Sequence, residues 1–134
     1  KTKRTYIYWR WQSNASPELG KWQAIFYANG TKHIPTLLKK VLRSPLSLAV
    51  WYMDDGYYSS VQKHSFIYLG CVSRSEANIA REAIANNFKI EARVYDKKEK
   101  GFALFFPVKE TIELHALIRE HVIPSMNYKL SLTP

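Results

Sequence analysis

Cysteine is almost absent from this chain. Cys71 is alone among 134 residues, so neither an intramolecular disulfide nor a zinc site built on several cysteines can form. No apolar run reaches the length of a membrane span and no signal-peptide pattern is present, so we expect no membrane partner. The four histidines, at positions 33, 64, 115 and 121, show no i, i+4 pairing, and we interpret them as surface or phosphate-contacting residues.

Acidic residues are scarce beside basic ones. There are 11 Asp and Glu against 20 Lys and Arg, which gives a formal net charge of +9. This excess favours a polyanionic partner, of which nucleic acid is the commonest, although a merely basic, soluble protein remains the alternative. With 46% hydrophobic and 14% aromatic residues, the chain is long enough and apolar enough for one globular domain over residues 1–134.

The stretch RSPLSLAVWYMDDG predicts a short, strongly apolar helix. Ser44 can cap an exposed amide, and Pro45 suits the first helical position because it has no amide to satisfy. The residues Leu46 to Met53 are apolar except for Ser47 and the hydroxyl of Tyr52. We therefore expect no water-exposed face, and a helix that is buried or sandwiched.

Two carboxylates follow at the end of this helix. Asp54 and Asp55 lie beside the negative end of the helix dipole, and Gly56 is predicted as a left-handed C-cap. Adjacent acids are unfavourable there unless a cation meets them, and a divalent metal with oxygen ligands is a natural candidate. The alternative, two solvated aspartates, stays open on this evidence.

The remaining elements follow from periodicity and turn residues. Four strands are predicted, at Thr5–Gln12, His64–Cys71, Glu91–Lys97 and Phe102–Val108. Four further helices are predicted, at Glu18–Tyr27, Thr36–Leu42, Ser73–Phe88 and Lys109–Val122. Ser73 and Glu76 have the spacing of a capping box at the start of the third of these, and Ile112 is expected on the partly apolar stripe of the fourth. Turns or loops are predicted at Asn29–Gly30, Thr31–Pro35, Tyr57–Lys63 and Lys98–Gly101. This order predicts an α+β fold, with antiparallel strands and helices gathered on one face.

Three separated blocks resemble the two-motif LAGLIDADG homing endonucleases. The segment LAVWYMDDG, Leu48 to Gly56, is similar to their second signature helix. The upstream block contains Lys32, Ile34-Pro35, Leu37-Leu38 and Pro45-Leu46-Ser47-Leu48-Ala49. The downstream block, IPSMNYKL, covers Ile123 to Leu130 and resembles the closing segment of the same proteins. Because the blocks occur in the family's order over roughly residues 24–130, the chain is identified as a member of this family.

The resemblance implies an active site and a chemistry. Asp55 matches the family's metal-binding catalytic aspartate, whereas Asp54 falls where the family tolerates alanine. Lys32 and Lys129 match basic residues beside the scissile phosphates, where they polarise water or stabilise developing charge. The implied activity is Mg²⁺-dependent hydrolysis of phosphodiester bonds in double-stranded DNA.

The resemblance also implies a nucleic-acid interface. The strands of such proteins form an antiparallel β-saddle in the major groove, with the helices packed on the other face. Residues expected on this saddle to read bases or contact phosphates are Tyr8, Arg10, Arg93, Tyr95 and Lys97. An ordinary solvated sheet face is the alternative for each of them.

Two departures from the family pattern bear on activity. Residues 1–43 resemble the segment that comes after the first motif in two-motif proteins, so we expect the first signature helix and its acid to come from a partner chain or a further segment. Val72 stands where some relatives carry a polar residue near the metal. The alternative function is therefore a nucleic-acid-binding protein that does not cleave, such as an intron maturase, a transcription regulator or an organellar ribosome component, on DNA or RNA. The resemblance suggests a mitochondrion, a chloroplast or a prokaryotic cytoplasm.

Overall fold

The computed structural model describes residues 12–131. Tyr8, Arg10 and nearly all of the strand predicted at Thr5–Gln12 lie outside the described residues. Among the described residues, no helix is both long and apolar enough to cross a membrane.

Helices and antiparallel strands alternate along the described chain. The helices are α1 Pro17–Phe26, α2 Leu38–Val41, α3 Pro45–Asp55, α4 Arg74–Phe88 and α5 Val108–Ile118. The strands are β1 Tyr27–Ala28, β2 Thr31–Lys32, β3 Gly56–Ser59, β4 His64–Gly70, β5 Arg93–Asp96 and β6 Phe102–Phe106. Short 3₁₀ segments cover Lys98–Lys100, Arg119–His121 and Pro124–Lys129. β1 pairs with β2, and the other strands form one antiparallel sheet in the order β3-β4-β6-β5.

One face of the four-stranded sheet is covered by helices. Its inward side chains alternate along each strand with outward ones, as the period of two requires. Those inward residues are almost fully buried: Ser65, Ile67, Leu69, Leu104 and Phe106. They share a core with helix residues that include Leu48, Tyr52, Ala80, Ile84, Leu114 and Ile118. The predicted α+β class, with helices on one face of an antiparallel sheet, is therefore confirmed.

The start of α4 confirms a predicted capping box and adds a second role to it. Ser73 Oγ accepts from the Glu76 amide at 3.2 Å, and Glu76 Oε2 accepts from the Ser73 amide at 2.8 Å. The other carboxylate oxygen accepts from the Ile34 amide at 2.9 Å. Hydrogen bonds from Ser73, and then from Ile34, lower the pKa of Glu76. One carboxylate thus caps α4 and fixes the segment that follows β2.

The prediction of a left-handed C-cap at Gly56 is wrong. Gly56 has φ −81° and ψ 148°, which is extended backbone, and it is the first residue of β3. The helix passes directly into a strand because residues 56–59 pair with β4, Gly56 lying opposite Ile67. Glycine is needed there for space, since a Cβ would overlap the carbonyl and the ring of Tyr52.

Two segments predicted as loops contain strand residues, because they pair with distant or neighbouring strands. The predicted loop Tyr57–Lys63 is wrong over its first half, because Tyr57–Ser59 belong to β3. The predicted link Thr31–Pro35 instead begins with β2, which forms a small hairpin with β1 around Asn29 and Gly30. Both of these turn residues have positive φ, 49° and 76°, as in the favoured two-residue hairpin turns.

The central helix does have an exposed side. Leu48, Ala49 and Tyr52 are fully buried, but Leu46 and Val50 are 52% and 54% exposed. The described residues therefore do not bury α3 on every side, and the other form of the expectation, a helix sandwiched by a further segment or chain, stays a prediction. The apolar side chains at positions 46 and 50 lie one turn apart and form one stripe.

The last helix also differs from its prediction. The α-helix ends at Ile118, and residues Arg119–His121 continue as a 3₁₀ turn. Ile112, predicted to be on the apolar stripe, is 42% exposed, while Leu114 is fully buried. His115 is also fully buried, so its interpretation as a surface or phosphate-contacting residue is wrong. Its partners come from distant parts of the chain, which local periodicity does not report.

We expect Gly56→Ala to lower the free energy of unfolding by about 1–3 kcal/mol, the usual cost of inserting a methyl group into a packed site. The added Cβ would overlap Tyr52, and urea denaturation measures the loss. Gly20→Ala is the matched control, because a Cβ at this helical position meets nothing within 4 Å. A Gly56→Ala chain as stable as the control would contradict the proposed close approach.

Candidate active site at the end of the central helix

The carboxyl end of α3 brings an acid close to a lysine from β2. Asp55 Oδ2 lies 3.8 Å from Lys32 Nζ, and the two side chains are 30% and 50% exposed. This is an ion pair in contact with solvent, so the pair alone contributes little to stability. Both groups remain accessible to a ligand that would approach this end of the helix.

The backbone around Lys32 is fixed by strand pairing and, two residues later, by a hydrogen bond to Glu76. It lies opposite Tyr27 in the small β1–β2 hairpin, and two residues later the Ile34 amide donates to the Glu76 carboxylate at 2.9 Å. The lysine backbone is therefore fixed although its side chain is half exposed.

Lys129 reaches the same helix end from the C-terminal segment. Its Nζ donates to the carbonyl of Met53 at 2.6 Å and to the carbonyl of Asp54 at 3.3 Å. These carbonyls have no partner within the helix, and a cation is favourable at this end of the helix dipole. The structure thus brings Asp55, Lys32 and Lys129 together from three separate parts of the sequence, although their roles stay a prediction.

A buried hydrogen-bond network fixes the backbone of Lys129. The hydroxyl of Tyr52 donates to the Lys129 carbonyl at 2.8 Å and lies 2.9 Å from His115 Nε2 and 3.2 Å from Ser65 Oγ. His115 Nδ1 accepts from the Ser131 amide at 2.9 Å. Since Nδ1 accepts, the neutral ring carries its proton on Nε2 and donates towards Tyr52 and Ser65. The network joins α3, β4 and α5 to the segment that holds Lys129.

The network favours neutral groups. Burial, and then the charge of Arg119, lowers the pKa of His115 from 6.5 to about 4. Burial likewise raises the pKa of the Tyr52 phenol above its ordinary value. A protonated His115 would direct an N–H at the Ser131 amide, two donors facing each other. The arrangement therefore requires the neutral imidazole.

Two pockets meet at Asp55. One, of about 290 Å³, has mainly apolar walls that include Phe26 and Trp51. The other, of about 500 Å³, is lined largely by the β2 and β4 ends and includes Val72. Lys32, Asp55 and Leu69 line both. Val72, where the resemblance implies a polar residue in some family members, therefore lies in the pocket beside the acid.

Asp55 is the one predicted metal ligand among the described residues. Over residues 12–131, no group of three or more His, Cys, Asp or Glu side chains could hold a metal ion. Asp55 offers one accessible carboxylate, and Mg²⁺ in nucleotide-processing sites is commonly bound by one or two carboxylates together with phosphate oxygens and water. The donor set fits Mg²⁺ as one contribution to such a site.

The predicted nucleic-acid residues Arg93 and Tyr95 of β5, and Lys97 directly after this strand, lie on the outward face of the sheet. Arg93 and Tyr95 are exposed, and Lys97 Nζ lies 4.0 Å from the centre of the Tyr68 ring. Sequence reasoning missed the other members of this face, which are His64, Phe66 and Tyr68 of β4, Phe105 of β6 and Tyr57 of β3. The signal was present, because aromatic residues alternate along β4 with the period of two.

Two comparisons with known proteins, one of sequence and one of fold, indicate homing endonucleases. Residues 1–114 match the profile of the LAGLIDADG DNA endonuclease family. The fold is similar to that of a solved structure, the homing endonuclease I-WcaI bound to its DNA recognition sequence, with a TM-score of 0.75 and 24% sequence identity. The match covers 87% of this chain and 52% of that one. This likeness confirms the predicted homing-endonuclease-like fold.

This chain matches different shares of the length of its relatives. The protein RecA of Mycolicibacterium fallax is 30% identical over 132 residues, which are 85% of this chain and 30% of that protein. A probable intron-encoded DNA endonuclease of Mycosarcoma maydis is 29% identical over 85 residues, 63% of this chain and 62% of that protein. The chain therefore spans less than a third of the RecA proteins it matches and somewhat less than two thirds of the fungal one.

The buried network predicts a pH dependence of stability. The pKa of His115 is about 4 in the folded protein and 6.5 for an ordinary imidazole. The neutral ring's contribution to the free energy of unfolding is therefore complete above pH 6.5 and is lost as the pH falls towards 4. Unfolding should cost about 3 kcal/mol less at pH 4 than at pH 8. Urea denaturation at a series of pH values measures it.

Between pH 6.5 and 4.5 the change in stability should come mainly from His115. Glu76 and Glu82 have lowered pKa values, from 4.5, so their contributions disappear mainly below that window. His115→Gln should flatten the curve in the window, whereas His121→Gln, the matched control, should keep the wild-type slope. An unchanged slope in His115→Gln would contradict the assignment.

Proposed function

The chain belongs to the LAGLIDADG DNA endonuclease family, and we propose that it supplies one half of a homing endonuclease that hydrolyses phosphodiester bonds at specific sites in double-stranded DNA. The observation that carries this proposal is the convergence of Asp55, Lys32 and Lys129 at one end of α3. A helix end with one lysine 3.8 Å from an acid and another on its last carbonyls is a suitable place for a phosphate and the cation that neutralises it.

Each of these residues has a separate role in the proposed reaction. Asp55 would hold Mg²⁺, which when bound lowers the pKa of a water and neutralises charge on the phosphate. Lys32, 3.8 Å from this carboxylate, keeps a positive charge beside the place where the phosphate would lie. Lys129, fixed on the helix carbonyls, offers its remaining N–H to the charge that develops on the phosphate oxygens.

A second helix is proposed to complete the site. The exposed stripe of Leu46 and Val50 runs along the helix that ends in Asp55, so a helix packed on it would end close to that acid. Packing would remove both side chains from water, each worth about 1–2 kcal/mol. The partner is a second LAGLIDADG-bearing chain or segment, which would bring the second acid that the described residues lack.

The proposed substrate is duplex DNA lying against the outward face of the sheet. The net charge of +9 favours a polyanion, and Arg93 and Lys97 place cations on this face. Asp55 belongs to the helix that continues directly into β3 of the same sheet. A duplex bound on the sheet can thus reach the acid without leaving the protein surface.

Asp55→Asn should abolish Mg²⁺-dependent nicking, by at least about a hundredfold, the scale of losing one preorganised electrostatic contact. DNA affinity should remain, because a single neutral substitution leaves the sheet intact. The assay uses a plasmid carrying a duplex selected by the chain, in Mg²⁺ or EDTA, at concentrations up to those at which the chain self-associates. Asp54→Asn is the matched control, at the same helix end. Full nicking by Asp55→Asn would remove this residue from the catalytic role.

Lys97→Ala should weaken DNA binding and reduce the salt dependence. Loss of one phosphate contact lowers the magnitude of the slope of log K against log salt by about 0.9. Titration at several salt concentrations measures it, with Lys109→Ala as the control because that exposed lysine begins α5, away from the outward sheet face. An unaltered slope in Lys97→Ala would show that this strand face does not contact phosphate.

A second candidate function is nucleic-acid binding without cleavage. It is favoured by Val72, because this apolar side chain lines the pocket beside Asp55 and cannot contact a metal. Under this candidate the wild-type chain binds DNA or RNA and shows no Mg²⁺-dependent nicking at any concentration. The predicted compartments, a mitochondrion, a chloroplast or a prokaryotic cytoplasm, stay predictions.

A further inference from the structure

We propose that the outward sheet face recognises thymine methyl groups, so that the specificity of the described sheet is directed to A·T-rich steps of a duplex. The inference rests on the proposed function, in which this face lies against double-stranded DNA. The inference concerns which base pairs this face prefers. The residues that support it are Phe66 and Phe105, with Tyr57, Tyr68 and Tyr95 around them.

The aromatic residues form two rows across the sheet. In the first, Tyr57 lies opposite Phe66, Phe66 opposite Phe105, and Phe105 opposite Arg93, so the row crosses all four strands. In the second, Tyr68 and Tyr95 both lie opposite Ala103. Two phenylalanines thus occupy the middle of the face, and the outer positions carry tyrosines and an arginine.

The two central side chains of this face, Phe66 and Phe105, carry no hydrogen-bonding group, although the imidazole of His64 lies beside them. Phe66 and Phe105 are half-buried, with ring centres 5.2 Å apart. A phenylalanine can neither donate to the acceptors of guanine nor accept from the amino group of cytosine. The thymine methyl is the apolar group that base edges present in the major groove, and apolar side chains contact it there.

The ring packing argues against a platform for stacked bases. His64 packs edge to face with Phe66 and with Phe105, at 5.2 and 5.1 Å, and Tyr95 packs edge to face with Phe66 at 5.7 Å. Lys97 Nζ lies 4.0 Å over the ring of Tyr68. Stacking on unpaired bases needs free ring faces, and these faces are directed largely at one another or at a cation.

The surroundings suit a duplex rather than another protein. Arg93 ends the first row, and Lys97 covers a ring of the second, so cations border the aromatic centre on the β5 side. A shallow cleft of about 530 Å³ runs beside Phe66 and Phe105 with Arg93 and Gln62 on its walls. Phosphates would pair with the cations while base edges meet the phenylalanines.

The test compares thymine with uracil, which pairs identically but lacks the methyl. Duplexes are first selected by the purified chain from a randomised library, then resynthesised with deoxyuridine in place of thymidine. We expect affinity to fall about fourfold for each contacted methyl. The double variant F66T/F105T, whose residues keep a high strand propensity, should bind thymine and uracil duplexes equally.

Matched variants separate this effect from general damage. Phe102→Leu changes an aromatic residue of β6 that packs against the core rather than outward, and it should keep the thymine preference. Lys97→Ala should weaken binding to both duplexes by the same factor. Urea midpoints of all variants establish that they are folded, and the comparison on the wild-type chain needs no variant.

Each remaining outcome has a defined meaning. A wild-type chain that selects duplexes but does not distinguish uracil from thymine overturns the inference and leaves the proposed function standing. Retention of the full preference in F66T/F105T also overturns it. Tighter binding of single-stranded DNA or RNA than of any duplex would identify the face as a stacking surface. If no duplex is enriched, the proposed function fails and this inference with it.

Discussion

The bonds of Lys129 to the end of α3 connect the stability of this fold to its candidate chemistry. Its ammonium binds the carbonyls of Met53 and Asp54, and its own carbonyl accepts from Tyr52 of the same helix. The C-terminal segment is therefore joined to the helix through both the side chain and the backbone of one residue. Any movement of that segment changes the charge next to Asp55.

The same bonds explain how two acids are tolerated at the end of an apolar helix. Carboxylates are unfavourable beside the negative end of the helix dipole, and two lysines offset this, Lys129 on the carbonyls and Lys32 3.8 Å from Asp55. Positive charge is thus already present before a metal or phosphate arrives. A site with its charges already in place would need little reorganisation to bind the phosphate and the cation proposed for it.

Sequence reasoning succeeded where the determinants are local. The capping box of Ser73 and Glu76, the turn at Asn29 and Gly30, and the helix start at Pro45 each depend on a few neighbouring residues. It failed where partners are distant. Gly56 is an extended residue because residues 56–59 pair with β4, and His115 is buried because Tyr52, Ser65 and Ser131 meet it from three other elements. For the candidate site, the motif blocks named three residues that the structure places at one helix end, whose roles stay a prediction, but they did not indicate that Lys129 binds backbone carbonyls.

Two exposed apolar surfaces within residues 12–131, the stripe on α3 and the outward sheet face, differ in chemistry, and the difference favours different partners. The stripe on α3 is aliphatic, with Leu46 and Val50 one turn apart, and suits the side chains of another helix. The outward sheet face is aromatic and bordered by Arg93 and Lys97, so a partner there must tolerate positive charge. A protein surface that buried these cations would have to compensate them with acids, whereas the phosphates of a duplex do so at regular intervals along its length. The chemistry of the two surfaces therefore supports the proposed protein partner on the helix stripe and the proposed nucleic acid on the sheet face.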